Sequence, residues 1–142
     1  MASINILLAE DDEVDVMAVK RAFRELRIAN PLTVAKDGIE ALEMLRSTNG
    51  CPPIPRPLII LLDLNMPRMG GLEFLSELRK DPKLHRCIVF VMTTSADEQD
   101  RVRAYDKNVA GYVLKHSPGH SFLEAISMLE HYWRVVELPD LQ

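Results

Sequence analysis

Five short runs of aliphatic or β-branched residues alternate with longer amphipathic segments along this chain, and no other sequence feature restricts its fold as strongly. The runs cover residues 4–9, 32–35, 58–62, 88–92 and 110–114. Such alternation predicts βαβ units around a parallel sheet. The third and fourth runs are apolar throughout, which is typical of strands covered on both faces. The sequence therefore predicts an α/β fold with a doubly wound, five-stranded parallel sheet.

The segments between the runs carry apolar residues at helical spacing. In the first three segments these residues are Val16, Val19, Phe23 and Leu26, then Ile39, Leu42 and Leu45, then Leu72, Leu75 and Leu78. A fourth helix is predicted over 97–107, where Asn108 can adopt the left-handed conformation that ends a helix. A fifth is predicted from about His120 towards Trp133.

Composition excludes several classes of protein. The 142 residues are 47% hydrophobic, which suffices for one domain with a sizeable core. A formal charge of −4 argues against a nucleic-acid-binding module. No apolar run approaches the roughly 18 residues of a membrane span. The N-terminus lacks the basic region of a signal peptide, so the sequence predicts a cytoplasmic protein in which Cys51 and Cys87 are structural thiols.

Two segments exceed a minimal plan of five βα units. Residues 47–57 contain four prolines between Pro52 and Pro57, which predicts a surface loop inserted before the third strand. Residues 132–142 are too apolar for a solvated end and are interpreted as a C-terminal extension. The remaining residues, 1–131, form the predicted domain.

Polar residues follow four of the five predicted strands. Because the carboxyl ends of parallel strands meet at one edge of the sheet, these residues are expected to lie together. They are Glu10, Asp11, Asp12 and Glu13 after the first strand, Asp63 after the third, Thr93 and Thr94 after the fourth, and Lys115 after the fifth.

These residue types suit metal-dependent phosphoryl transfer. Clustered carboxylates repel one another, and a hard divalent cation such as Mg²⁺ relieves the repulsion. Asp63 can attack phosphorus to form an acyl phosphate. Lys115 and Thr93 can supply a cation and a hydroxyl donor to the phosphoryl oxygens. Each residue alone has a plain structural interpretation, such as an acidic helix N-terminus or a turn aspartate. Together, however, the residues at four strand ends all suit the same chemistry, which favours a site for phosphoryl transfer.

The same residues resemble the receiver domains of two-component response regulators. The resemblance rests on the pair Glu10-Asp11, on Asp63 within Leu-Asp-Leu-Asn-Met-Pro, on Thr93, and on Lys115. Thr93 and Lys115 lie 30 and 52 residues after Asp63, which are the spacings typical of the family. The resemblance covers residues 4–131 and implies the flavodoxin-like, three-layer fold with strand order 2-1-3-4-5.

The resemblance also implies a role for each matching residue. Asp63 is the phosphoacceptor for a histidine kinase. Asp11 and Asp63 bind Mg²⁺ directly, together with the backbone carbonyl of Asn65, and Glu10 acts through a metal-bound water.

The remaining matches describe the response to phosphorylation. Thr93 bonds to the phosphoryl group and moves towards it, while Lys115 forms an ion pair with it. Tyr112 is the aromatic residue that turns inward when Thr93 shifts, although a partly buried strand tyrosine is the plain alternative.

A second apolar face on the last helix and tail predicts a homodimer, because this face would be exposed to solvent in a monomer. It comprises Ala125, Met128, Tyr132, Val135 and Val136. With the proline-rich insertion, this tail resembles the small regulators paired with bacterial and cyanobacterial phytochromes, which are stand-alone receivers that dimerise. The implied partner is a phytochrome-type histidine kinase. With no output domain expected, the signal leaves through protein contacts.

Some positions depart from the family pattern. His116 follows Lys115, where most receivers have a proline with a cis peptide bond. A non-proline cis bond costs roughly 2.5–4 kcal/mol, so either this bond is trans and the loop is rebuilt, or the strain is retained. His116 and His120 have the spacing of helical metal ligands, but Pro118 and Gly119 break any helix between them, which argues against a zinc site.

Two alternatives to a phosphorylated receiver remain. Phosphatases of the haloacid dehalogenase type use similar residues, but their nucleophile follows the first strand and a second aspartate lies two residues on. Here Asp63 follows the third strand, and the residue two positions after it is Asn65 rather than an aspartate. The other alternative is a receiver-like interaction module that is never phosphorylated.

Overall fold

The computed structural model describes residues 3–139, which include a parallel five-stranded sheet. Its strands are β1 (Asn5–Ala9), β2 (Leu32–Ala35), β3 (Leu58–Leu62), β4 (Ile88–Thr93) and β5 (Gly111–Leu114). They pair in the order β2-β1-β3-β4-β5. This confirms the predicted doubly wound fold and its strand order.

Five helices connect and follow the strands: α1 (Glu13–Glu25), α2 (Gly38–Arg46), α3 (Gly71–Lys80), α4 (Glu98–Asp106) and α5 (Phe122–Val135). Side chains cap four of their N-termini by accepting hydrogen bonds from backbone amides of the first turn. The capping residues are Asp12, Asp37, Asp97 and Ser121.

The core consists of two apolar layers, one on each face of the sheet. Every residue of β3 is buried, and alternate side chains enter opposite layers. Ile60 and Leu62 pack with α2 and α3, whereas Ile59 and Leu61 pack with α1 and α5. The apolar run at 58–62 is therefore a strand covered on both faces, as predicted.

The last helix extends further than predicted. Trp133 is 3% exposed and packs against Phe23, and the Tyr132 ring meets that of Phe90 edge to face at 4.7 Å. The predicted domain boundary after His131 thus falls inside α5, because the next two residues complete the core. Residues 140–142 of the predicted extension lie outside the described residues.

The predicted second apolar face of α5 is partly wrong. Ala125 is 4% exposed, and Tyr132 packs against the core, so both are already covered within one chain. Met128, Val135 and Val136 are exposed, as predicted. Helical spacing identifies apolar residues but does not show how widely a neighbouring sheet covers them.

The loops agree with most of the predictions. Residues 47–57 contain no helix or strand, and Asn108 adopts the left-handed conformation with φ 60°. The Lys115–His116 bond is trans, since the cis peptide found among residues 3–139 is Arg56–Pro57. The loop after Lys115 is rebuilt instead: Ser117 bridges to His120, whose Nε2 lies 2.9 Å from the Leu114 carbonyl oxygen.

Within residues 3–139, the helices are too short or too polar to cross a lipid bilayer.

Gly71 controls how closely α3 approaches the end of β3. A methyl group on Gly71 would lie 2.6 Å from the Asp63 carbonyl oxygen and 2.8 Å from the Cα of Leu64. We expect Gly71→Ala to lower the free energy of unfolding by about 2–3 kcal/mol, because the backbone must move to relieve the overlap.

Urea denaturation measures this effect. Gly119→Ala is the control, since its added methyl group would lie 3.7 Å from the nearest atom, the Ser117 hydroxyl. Its free energy of unfolding should change by less than about 0.5 kcal/mol. Equal effects of the two substitutions would contradict this account of Gly71.

Candidate functional site

Two buried carboxylates lie side by side because their strands are neighbours in register. Ala9 of β1 pairs with Leu62 of β3, so Glu10 and Asp63 follow adjacent strand ends. The Asp63 amide donates to the Ala9 carbonyl at 3.0 Å, which continues the pairing by one residue. The side chains of Glu10 and Asp63 are 3% and 7% exposed. Asp11 is exposed, and carboxylate oxygens of these three acidic residues lie within 4.8 Å of one another.

Thr93 and Lys115 complete the same edge of the sheet. Thr93 is fully buried at the end of β4, and its carbonyl accepts the Lys115 amide at 2.9 Å. The Lys115 ammonium bonds to Glu10 and lies 3.8 Å from Oδ2 of Asp63. The structure therefore brings Glu10, Asp11, Asp63, Thr93 and Lys115 together at one edge of the sheet, whereas Asp12 caps α1.

A fourth carboxylate, Asp15, was missed by the sequence interpretation. Its Oδ2 accepts a hydrogen bond from the Lys115 ammonium at 2.7 Å. Asp15 belongs to no motif, and its sequence signal is weak: an acidic residue between Val14 and Val16 in the first turn of α1, where the helix dipole favours negative charge.

The protonation of the site reflects crowding of negative charge. Burial raises the pKa of Glu10 to about 7; the Lys115 hydrogen bond opposes this rise, and the Asp63 charge adds to it. Burial alone would lower the pKa of Lys115, but the hydrogen bonds to Asp15 and Glu10 outweigh it, so that pKa is raised. Carboxylates outnumber cations in the site.

The residues present fit a hard divalent cation. Oδ1 of Asp63 is buried and has no hydrogen-bond partner within residues 3–139, although buried carboxylate oxygens normally have one. A cation bound by Asp11 and Asp63, with Glu10 beside it, would supply a partner and offset the excess negative charge. Asn65 is exposed two residues after Asp63, and the role of its carbonyl oxygen stays a prediction.

Ser95 connects Thr93 with Tyr112 and α4. Its amide donates to the Thr93 hydroxyl at 3.3 Å, and its carbonyl accepts the Tyr112 hydroxyl at 2.8 Å. Its own hydroxyl donates to Asp100 of α4 at 2.7 Å. The N-terminus of α4 is capped by Asp97. The strand-end threonine is thus linked to the half-buried tyrosine through one residue.

His116 is exposed beside this site, at the start of the loop after β5. Its ring lies 6.4 Å from the ring of Phe122. The ring of His120 instead reaches back to β5, so the two histidines serve separate contacts.

Comparison with known proteins identifies the class. The family model of the response regulator receiver domain matches residues 6–127. With the strand order and the site described above, this match shows that the chain belongs to the response regulator receiver domains. The family consists of signalling regulators of two-component systems that bind a divalent metal, and phosphorylation on aspartate is typical of it. The match to this family favours a receiver domain over a phosphatase of the haloacid dehalogenase type.

The chain is similar to regulators linked to phytochromes. The response regulator Rcp1 of Synechocystis sp. is 34% identical over 135 residues, 94% of this chain and 92% of Rcp1. A crystal structure of Mn²⁺-bound Rcp1 has a TM-score of 0.86 at 33% identity, covering 98% of this chain and all of the other.

Two further structures extend the similarity. The crystal structure of the phosphorylated cyanobacterial phytochrome response regulator RcpA has a TM-score of 0.88 at 32% identity, covering 98% of this chain and all of RcpA. The structure of the bacteriophytochrome response regulator AtBRR has a TM-score of 0.76 at 34% identity, covering 96% of this chain and 99% of AtBRR.

The raised pKa of Glu10 predicts a pH dependence of stability. This pKa is higher in the folded protein than its ordinary value of 4.5. The contribution of Glu10 to the free energy of unfolding is therefore fully present below pH 4.5 and is lost as the pH rises through about 7. Glu10→Gln removes this titration. We expect the stability of the variant relative to wild type to increase from pH 5 to pH 8 in metal-free buffer.

Urea denaturation of both proteins in the presence of a chelator measures this difference. Comparing variant with wild type at each pH cancels titrations that the two share. A stability difference that stays constant or decreases from pH 5 to pH 8 would contradict the prediction.

Proposed function

We propose that Asp63 accepts a phosphoryl group from a phosphohistidine of a histidine kinase in a reaction that requires Mg²⁺. The observation that carries this proposal is the environment of Asp63. Oδ1 of its buried carboxylate has no hydrogen-bond partner among residues 3–139. The carboxylate lies beside Lys115 and beside Glu10 and Asp11, with which it could share a metal ion. A strand-end carboxylate in this setting is suited to act as a nucleophile towards phosphorus.

In this transfer, an oxygen of Asp63 forms a bond to phosphorus as the bond between phosphorus and the histidine nitrogen breaks. The electron pair of the broken bond returns to the imidazole of the kinase, and the product is an acyl phosphate on Asp63. Asp11, Asp63 and the Asn65 carbonyl, with Glu10 acting through a water, would hold Mg²⁺, which would supply positive charge to the phosphoryl oxygens.

Lys115 and Thr93 stabilise the transferred group. The Lys115 ammonium is 3.8 Å from Asp63 Oδ2 and is desolvated, so its attraction to an added phosphoryl charge is weakly screened. The Thr93 hydroxyl accepts the Ser95 amide and keeps its own proton available to donate.

The output of phosphorylation begins at the same hydroxyl. A shift of Thr93 towards the phosphoryl group displaces Ser95, which holds both the Tyr112 hydroxyl and Asp100 of α4. Tyr112 therefore acts as the switch, and the surface that changes includes α4. The signal leaves through protein contacts on that surface.

The kinase partner is proposed to be of the phytochrome type. The support is the similarity over nearly the whole chain to Rcp1, RcpA and AtBRR. The proposal includes a cytoplasmic location, which agrees with the free thiols of Cys51 and Cys87.

Phosphorylation of the purified protein tests the acceptor assignment. Acetyl phosphate with Mg²⁺ should add one hydroxylamine-sensitive phosphoryl group to the wild type and none to Asp63→Asn, because the nucleophile is lost. A chelator should prevent labelling. Asp12→Asn removes the same charge from a residue outside the metal cluster and should still be labelled.

Intact-mass spectrometry counts the phosphoryl groups, and the same variants then serve with phosphorylated kinases. A phytochrome-type kinase should label the wild type faster than kinases of other classes. An unlabelled wild type, or an Asp63→Asn variant that is still labelled, would contradict the proposed function.

The proposal also includes a homodimer formed through α5 and the tail. Met128 and Val135, two helical turns apart on α5, are 49% and 66% exposed. On α4, Val102 and Tyr105 are 51% and 49% exposed. Residues of α4 and α5 line a common surface depression beside β5. The exposed apolar residues of both helices would be removed from water if they packed against a second copy.

Sedimentation velocity at micromolar concentration tests the dimer. We expect a dimer for the wild type and a monomer for a variant with both Met128→Glu and Val135→Glu, since charges in an apolar interface oppose association. Val14→Glu, at an exposed apolar position on α1, should remain a dimer.

These substitutions are preferable to truncation after His131, which would remove the core residue Trp133. A monomeric wild type would contradict the dimer. A doubly substituted variant that still dimerises would show that another surface is used.

A further inference from the structure

The Lys115 ammonium lies among three carboxylates, and it contacts them unequally. It bonds to Glu10 and, at 2.7 Å, to Asp15, whereas Oδ2 of Asp63 is 3.8 Å away. The last distance permits an ion pair but exceeds that of a hydrogen bond. The cation that is expected to serve the phosphoacceptor is therefore hydrogen-bonded to other groups.

Asp15 differs from Glu10 in its position relative to the metal cluster. Glu10 belongs to the carboxylates that can share a cation, whereas Asp15 is not one of them. Asp15 lies in the first turn of α1, 100 residues from Lys115, and its side chain is 23% exposed. Its short contact in this site is with the Lys115 ammonium, and this contact links Asp15 to Asp63.

We propose that Asp15 is a positioning residue that holds Lys115 away from Asp63 and sets how strongly a phosphoryl group on Asp63 is stabilised. This inference rests on the proposed function of Asp63 as the phosphoacceptor. To form its ion pair with a phosphoryl oxygen, Lys115 must weaken a bond that it already makes. The bond to Asp15 therefore favours the unphosphorylated state, and removing it shifts the balance towards the phosphorylated state.

A direct test is the affinity for beryllofluoride, which mimics a phosphoryl group on a carboxylate, at saturating Mg²⁺. We expect Asp15→Asn to bind beryllofluoride about fivefold more tightly than wild type, because a partly exposed ion pair contributes about 1 kcal/mol. Asp15→Ala should change the affinity in the same direction, and Asp15→Glu should remain near wild type. ¹⁹F NMR titration measures each affinity.

Two controls separate this mechanism from a general loss of negative charge. Asp12→Asn removes the same charge at the N-terminus of α1 but does not contact Lys115, so its affinity should stay near that of wild type. In a Lys115→Met background, Asp15→Asn should have no effect, since the ammonium through which it acts is absent. An effect that persists in this background would show simple charge repulsion and would overturn the inference.

A second measurement needs no metal. In the metal-free protein, hydrogen exchange of the Lys115 ammonium, followed by ¹⁵N NMR, should be faster in Asp15→Asn than in wild type. The Asp12→Asn control should match wild type. Unchanged exchange in Asp15→Asn would contradict the holding contact.

The results also distinguish failure of the inference from failure of the proposed function. If the wild type binds no beryllofluoride and acetyl phosphate leaves it unlabelled, the phosphoacceptor assignment is wrong and the inference falls with it. If the wild type binds and Asp15→Asn binds equally or more weakly, the inference alone is wrong.

Discussion

The site depends on one constraint: two carboxylates and one ammonium are held next to each other at the end of a sheet whose central strand, β3, is apolar and buried throughout. Glu10 and Asp63 are adjacent because β1 and β3 pair in register up to Ala9 and Leu62. Lys115 directly follows β5, and its side chain is 3% exposed. In such surroundings charges interact strongly, so the carboxylates need a cation and the ammonium needs an anion. Metal binding and phosphoryl binding both follow from this arrangement.

Two helices are connected to this site by hydrogen bonds, each through a different residue. On one side, Asp15 connects α1 to the Lys115 ammonium. On the other, Ser95 connects the Thr93 hydroxyl to Tyr112 and, through Asp100, to α4. A new charge on Asp63 therefore competes with an existing contact on the α1 side and pulls on an existing chain of hydrogen bonds on the α4 side.

The strands, their order and the strand-end residues could be predicted from sequence, because apolar runs define strands and parallel strands end at one edge of the sheet. Asp15 and Ser95 could not. Each acts through a contact with a distant or neighbouring element that no spacing rule reveals. The face of α5 shows a similar limit: Ala125 and Tyr132 share the helical spacing of Met128 and Val135, yet Ala125 is buried and Tyr132 packs against the core. Exposure depends on tertiary packing, whereas spacing depends only on the helix.

The central claim is that Asp63, rather than another carboxylate of the cluster, carries the phosphoryl group. Borohydride reduces an acyl phosphate on aspartate to homoserine, and peptide mass spectrometry locates the modified position. After treatment with acetyl phosphate and Mg²⁺, the account predicts homoserine at position 63 and unmodified aspartate at positions 11, 12 and 15. Reduction at any of those three positions, with position 63 unmodified, would contradict it.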